Sequence, residues 1–149
     1  MRALLASLVL SSVLGIKAEL AIPEPRETRF FHEPAACGNR IVFVHGNDLW
    51  SVPAAGGAAT PLLSSAAKRS NPACSPDGRS VAFSEEADGN VDAYVVGLDG
   101  GTPRRLTWHP SIDRVQGWSP DNSLVLFTSD SASEHFLPRL MRRRPPART

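Results

Sequence analysis

An all-β fold is predicted here: a partial β-propeller of about two and a half four-stranded blades, preceded by a signal-peptide helix. Three observations predict it. A sequence unit returns after 44 residues, each unit holds four short strand-like segments, and tight-turn residues separate those segments. The unit Cys74-Ser75-Pro76-Asp77-Gly78 is echoed by Trp118-Ser119-Pro120-Asp121-Asn122. An apolar run follows each, Val81-Ala82-Phe83-Ser84 in one copy and Val125-Leu126-Phe127-Thr128 in the other. Leu49-Trp50-Ser51-Val52, ending in Gly56-Gly57, likewise returns as Ala93-Tyr94-Val95-Val96, ending in Gly100-Gly101. Ile41-Val42-Phe43-Val44 precedes the Val81 run by 40 residues, and the shortfall lies in one turn. Turns tolerate such length changes.

The strands of the middle unit are expected near Asn71–Ser75, Ser80–Ser84, Asp92–Gly97 and Pro103–Thr107. Their Val, Phe, Tyr and Thr suit a pleated, packed surface. Pro76-Asp77-Gly78 is a turn with a mechanism: Pro presets φ, Asp bonds its own backbone, and Gly accepts positive φ. After the N-terminal run no sustained 3.6-residue apolar period appears, so few helices are expected. A sandwich or small barrel would also give short, evenly spaced strands. Neither requires one pattern to return at a fixed offset.

The N-terminus reads as an export signal. An apolar run, Ala3 to Ile16, follows Met1-Arg2, and Ile16-Lys17-Ala18 offers a cleavage site. About 14 residues is short for a bilayer span. The alternative is a buried or interfacial N-terminal helix. The organisation expected is signal peptide 1–18, linker 19–28, blade 1 at 29–69, blade 2 at 70–112, partial blade 3 at 113–137 and a basic disordered tail at 138–149. Localisation would be periplasmic or secreted, with no membrane span after signal removal.

Charge narrows the partners. The formal net charge of +1 hides five arginines in the last eleven positions (Arg139, Arg142, Arg143, Arg144, Arg148). Between Glu19 and Leu137 there are 9 basic and 15 acidic residues, a balance of −6. That body carries no basic face for nucleic acid. A peptide or protein ligand is expected instead, with self-association through open blade faces as a further prospect. A blade cannot bury both of its faces alone, so an open ring leaves apolar surface exposed.

Candidate chemistry is sparse. Ser119 lies in Gly117-Trp118-Ser119-Pro120, which is not a nucleophile elbow, and it and Ser75 read as turn residues. His32, His45, His109 and His135 are scattered, each without a second ligand at metal spacing. Glu85, Glu86, Asp88 and Asp92 crowd one hairpin. They read as a solvated turn, with a calcium site as the alternative. Trp50, Tyr94, Trp108 and Trp118 read as blade packing rather than an aromatic recognition surface. Cys37 and Cys74 are expected to be unpaired, because their contexts place them on different blades. No catalytic, cofactor-binding or metal residue is assigned, and no cofactor is expected.

These motifs resemble a known family. Ser75-Pro76-Asp77-Gly78, Val81-Ala82-Phe83 and Gly100-Gly101-Thr102-Pro103-Arg104-Arg105-Leu106-Thr107 are similar to propeller repeats of TolB and of tricorn-type proteases. Asp113-Arg114-Val115-Gln116-Gly117-Trp118-Ser119-Pro120-Asp121 resembles a blade junction of bacterial tricorn-like peptidases. The similarity runs from about Arg29 to about Leu140, and the residues after it read like a truncated or frameshifted end. The resemblance implies the N-terminal propeller of an exported serine peptidase, whose proteolysis belongs to C-terminal domains outside this chain. The propeller would gate or bind peptides. The alternative is a TolB-like periplasmic module that binds proteins.

Overall fold

Three antiparallel sheets form in chain order, each from strands consecutive in sequence. They are seen in a computed structural model, which describes residues 31–130 and 139–145. The expected signal peptide and linker lie outside these residues. Blade 1 comprises β1 (Phe31–Cys37), β2 (Arg40–His45), β3 (Asp48–Pro53) and β4 (Thr60–Leu63). Blade 2 comprises β5 (Lys68–Cys74), β6 (Ser80–Ala87), β7 (Asn90–Gly97) and β8 (Gly100–Arg105). Blade 3 has β9 (Asp113–Trp118), β10 (Val125–Ser129) and β11 (Arg139–Arg143). The propeller reading of the sequence is correct, and no helix occurs among the described residues.

The first strands of the blades, β1, β5 and β9, contact one another in succession. The sheets therefore stack face to face with their opening strands side by side, as blades do around an axis. The last strands lie at the opposite sheet edges, where a missing ladder donor is tolerated, so Pro61 and Pro103 fit there.

Alternation along each strand sends one set of side chains to each neighbour. Val42, Val44 and Leu49 face one way from blade 1 and meet Val81, Phe83 and Val96 of blade 2. The opposite face of blade 2, with Ala82, Ala93 and Val95, meets Val115 and Val125 of blade 3. Phe83, Val81, Val42 and Val44 are completely buried. The core thus lies between sheets, in two layers.

Two expectations need correction. Arg139–Arg143 was expected in a disordered tail, yet it forms β11 and pairs with β10 from Ser129↔Arg139 to Val125↔Arg143. Pairing uses backbone groups, and an edge strand accepts charged side chains. Cys37 and Cys74 form a disulfide, with Cα atoms 5.3 Å apart. They do sit on different blades, but at the ends of β1 and β5, which lie against each other. Blade separation is not spatial separation at the axis.

Candidate functional site: the inner strands

The surface that the fold singles out is the one made by β1, β5 and β9. Each of these strands carries an irregularity. Register slips between His32 and Ala35 on β1 and between Ser70 and Ala73 on β5. Opposite β9 it slips between Leu126 and Phe127, which displaces Gln116. Glu33 and Asn71 sit at the bulges with φ of 54° and 53°, and a proline follows each. Positive φ at a non-glycine residue is uncommon, and bulges re-aim side chains.

The bulges bring Glu33, Pro34, Asn71, Pro72, Val115 and Gln116 around one cavity of about 240 Å³. The Glu33 carboxylate accepts the backbone N–H of Asn71, tying blade 1 to blade 2. At the counterpart position on β9, the N–H of Val115 is accepted by Ser84 Oγ at 2.9 Å. Both bonds therefore link an inner strand to the blade before it. Gln116 Nε2 reaches Thr128 Oγ1 at 3.4 Å. The wall offers carboxylate, amide and ring-methylene groups, which suit peptide backbone and mixed side chains. It assembles no nucleophile with a base.

The residues singled out in the sequence take different places. Ser75 Oγ donates to Asp77 and accepts the N–H of Ser80 at 3.0 Å, closing its turn. Ser119 Oγ repeats this with Asp121 and the N–H of Leu124 at 2.9 Å. The Ser119 hydroxyl and the Ser123 N–H hold the Asp121 carboxyl down at about 2. Gly78 (φ +65°) lies against the Gly38 turn of blade 1, where an added Cβ would come 3.4 Å from the Gly38 nitrogen.

The crowded carboxylates separate. Glu85 binds buried Arg69 at 2.9 Å, and Arg69 also reaches Asp48 of blade 1 at 3.3 Å. Glu86 lies 3.8 Å from Lys68. Asp92 is buried against the Arg105 guanidinium, Thr107 Oγ1 and Asn90 Nδ2. Asp88 occupies the β6–β7 turn. Glu85, through Arg69, ties blade 2 to blade 1, and Asp92 holds the start of the β8–β9 connection.

His32 is exposed beside Glu33, and His109 sits in the β8–β9 connection. The His45 ring lies against Phe31 and Trp50. His135 lies outside the described residues. Tyr94 stacks on Phe83, and burial raises its phenol pKa against the lowering pull of Arg105. Trp118 packs between blades and donates Nε1–H to Ala73 O at 2.9 Å. Trp108 departs from the packing expectation: it is 59% exposed, with Arg143 over its ring at 4.9 Å. Sequence reasoning missed the bulge residues. The X-Pro-Ala echo, Glu33-Pro34-Ala35 against Asn71-Pro72-Ala73, was the available signal.

No helix among the described residues is long and apolar enough to cross a membrane. Residues 28–143 match the family model described as the tricorn protease N-terminal beta propeller domain. Tricorn protease homolog 1 of Streptomyces coelicolor is 30% identical over 76% of this chain and 11% of its own length. Putative tricorn protease homolog 2 of the same organism is 37% identical over 69% of this chain and 9% of its own. The chain therefore spans about a tenth of the length of these relatives. The crystal structure of the tricorn protease superposes with a TM-score of 0.61 at 24% identity, covering 68% of this chain and 11% of that one. A putative TolB from Agrobacterium tumefaciens gives 0.63 at 23%, covering 77% of this chain and 45% of that one.

Proposed function

The chain belongs to the tricorn protease N-terminal β-propeller family, and on that premise we propose that it is a non-catalytic, exported module that binds or gates peptides. The observation that carries this is the bulged wall of Glu33, Asn71 and Gln116 beside one cavity on adjoining inner strands. Proteolysis in this reading falls to domains outside the chain, as the relatives' names suggest. Export is supported by the apolar run from Ala3 to Ile16 and by the Cys37–Cys74 disulfide, since such bonds persist in oxidising compartments.

Fluorescence anisotropy with a labelled digest of denatured casein tests the reading. Saturable binding that Glu33→Ala and Gln116→Ala each weaken by about tenfold, or 1.4 kcal/mol, supports it. Absent binding, or binding indifferent to both changes, refutes it. Casein hydrolysis by the chain would refute its non-catalytic part.

A second reading is a protein-docking module of the TolB kind. Exposed Trp108 under the Arg143 guanidinium favours it, because Trp and Arg dominate the energetics of many protein interfaces.

A further inference from the structure

Charge gives the cavity on the inner strands a preference that its shape alone would not. Among the described residues that line it, Glu33 alone is charged, and no lysine or arginine stands on the wall. Asn71 and Gln116 add neutral amides, and Pro34, Pro72 and Val115 add apolar surface. At about 240 Å³ the cavity falls below the roughly 300–1,000 Å³ of drug-sized ligand pockets. It therefore suits one charged end or side chain rather than a long segment.

The two oxygens of Glu33 are used differently. Oε2 accepts the Asn71 N–H. His32 Nδ1 stands 3.6 Å from Oε1, beyond hydrogen-bond length, so no described residue donates to that oxygen. The carboxylate is also held in place. Glu33 and Asn71 both sit at bulges with positive φ, and each is followed by a proline of fixed φ. The Cys37–Cys74 disulfide pins the same two strands beyond the bulges. A rigid acceptor costs a ligand little ordering entropy.

We propose that this cavity selects peptides by a positively charged amine, an ammonium group that donates to Glu33 Oε1. The proposal rests on the cavity being the peptide site and names the ligand class that site takes. An ammonium fits better than a guanidinium because only one oxygen is free. A guanidinium fork engages both oxygens of a carboxylate, and Asn71 already holds one. The balance of −6 between Glu19 and Leu137 attracts cations at longer range. A peptide N-terminus and a lysine side chain both carry this ammonium chemistry.

Isothermal titration calorimetry on the full chain, with C-terminally amidated peptides Ala-Xaa-Ala-Tyr-Ala, is the test. One peptide is N-acetylated with Lys as Xaa, and a second has a free N-terminus with Gln. A third is N-acetylated with Gln, and a fourth is N-acetylated with Glu. The Lys peptide, the free-amine peptide or both should bind at least about tenfold tighter than the acetylated Gln peptide. Which of the two gains identifies the ammonium source, and the Glu peptide should bind most weakly. Glu33→Gln keeps a carbonyl oxygen for the Asn71 N–H and should bring the cationic peptides down to the neutral one. Raising the salt concentration should shrink their advantage. Equal affinity across the panel overturns the proposal, as does a preference that Glu33→Gln leaves intact. Tighter binding with Arg in place of Lys would also overturn it. If Glu33→Gln loses its strand signal in circular dichroism, the wild-type panel decides alone, with the same outcomes. Casein-digest binding beside an indifferent panel sinks the ammonium preference and leaves the proposed function standing, whereas no binding of digest or panel sinks both.

Discussion

The interface between blades 1 and 2 and that between blades 2 and 3 are made from the same repeat, yet they are held by different chemistry. The first is large-residue and cross-linked. Val42, Val44, Leu49, Val81 and Phe83 fill it, and the Cys37–Cys74 disulfide closes its axial end. Arg69 spans it as a buried cation between Asp48 and Glu85. The second is small-residue and latched by hydrogen bonds. Ala82, Ala93 and Val95 meet Val115 and Val125, Ser84 holds the Val115 N–H, and Trp118 reaches Ala73 O. Cys74 and Trp118 occupy the same place in the repeat, so one position serves as a covalent lock once and as a hydrogen-bonding wedge once. Stacking fixes where an interface lies, and a few substitutions decide how it is held.

The largest way to break the comparison is through the first interface. Phe83→Ala should lower the unfolding free energy by about 3–5 kcal/mol in urea denaturation, as fully buried aromatic truncations do. Val125→Ala removes less area from the second interface and should cost less. A smaller loss from Phe83→Ala than from Val125→Ala would reverse the ranking.

Breaking the disulfide by a Cys37→Ala, Cys74→Ala double change should cost about 2–4 kcal/mol. Hydrogen exchange should then rise first in β1 and β5 while β9 and β10 keep their protection. Equal loss in all three blades would mean that the interfaces are not independent.

Ser84→Ala sharpens the second interface. It strips the Val115 N–H of its acceptor in a buried setting, for a cost of about 1–3 kcal/mol. Exchange at Val115 should accelerate, whereas the first interface should be unaffected.

The smallest effect concerns the Asp121 turn at the second interface. Its carboxyl titrates at about 2, below the ordinary carboxylate value near 3.8, because Ser119 and Ser123 donate to it. A depressed carboxyl contributes stability above its unfolded pKa and loses that contribution as pH falls toward about 2. Asp121→Asn should therefore flatten the stability loss between those two values, as read by urea midpoints across acid pH. An unchanged slope would show that the turn carries no linked proton.

Much of this was legible in the residues. The echo of Ser75-Pro76-Asp77 in Ser119-Pro120-Asp121 marked both turns, because hydroxyl and carboxylate each accept a backbone N–H of their own turn whatever surrounds them. The alternation in Val81–Ser84 marked a strand with two packed faces. Other features depend on distant partners. The disulfide was hidden because sequence places Cys37 and Cys74 in separate units, and only the axial meeting of β1 and β5 joins them. β11 was hidden because its arginines resemble a solvated tail, while its backbone completes a ladder. Trp108 resembled a core aromatic, but it follows Leu106-Thr107 into the connection, where the chain leaves the sheet. The bulged wall was the least legible part of the site, since a bulge shows only when two strands are paired.

Inner strands of successive blades lie side by side, and the stacking of the sheets depends on it. Non-reducing peptide mapping of the chain, produced in an oxidising compartment, tests this most directly. It should yield one linked peptide pair, Cys37 with Cys74, within a single chain. Two free thiols, or a bond joining separate chains, would contradict it.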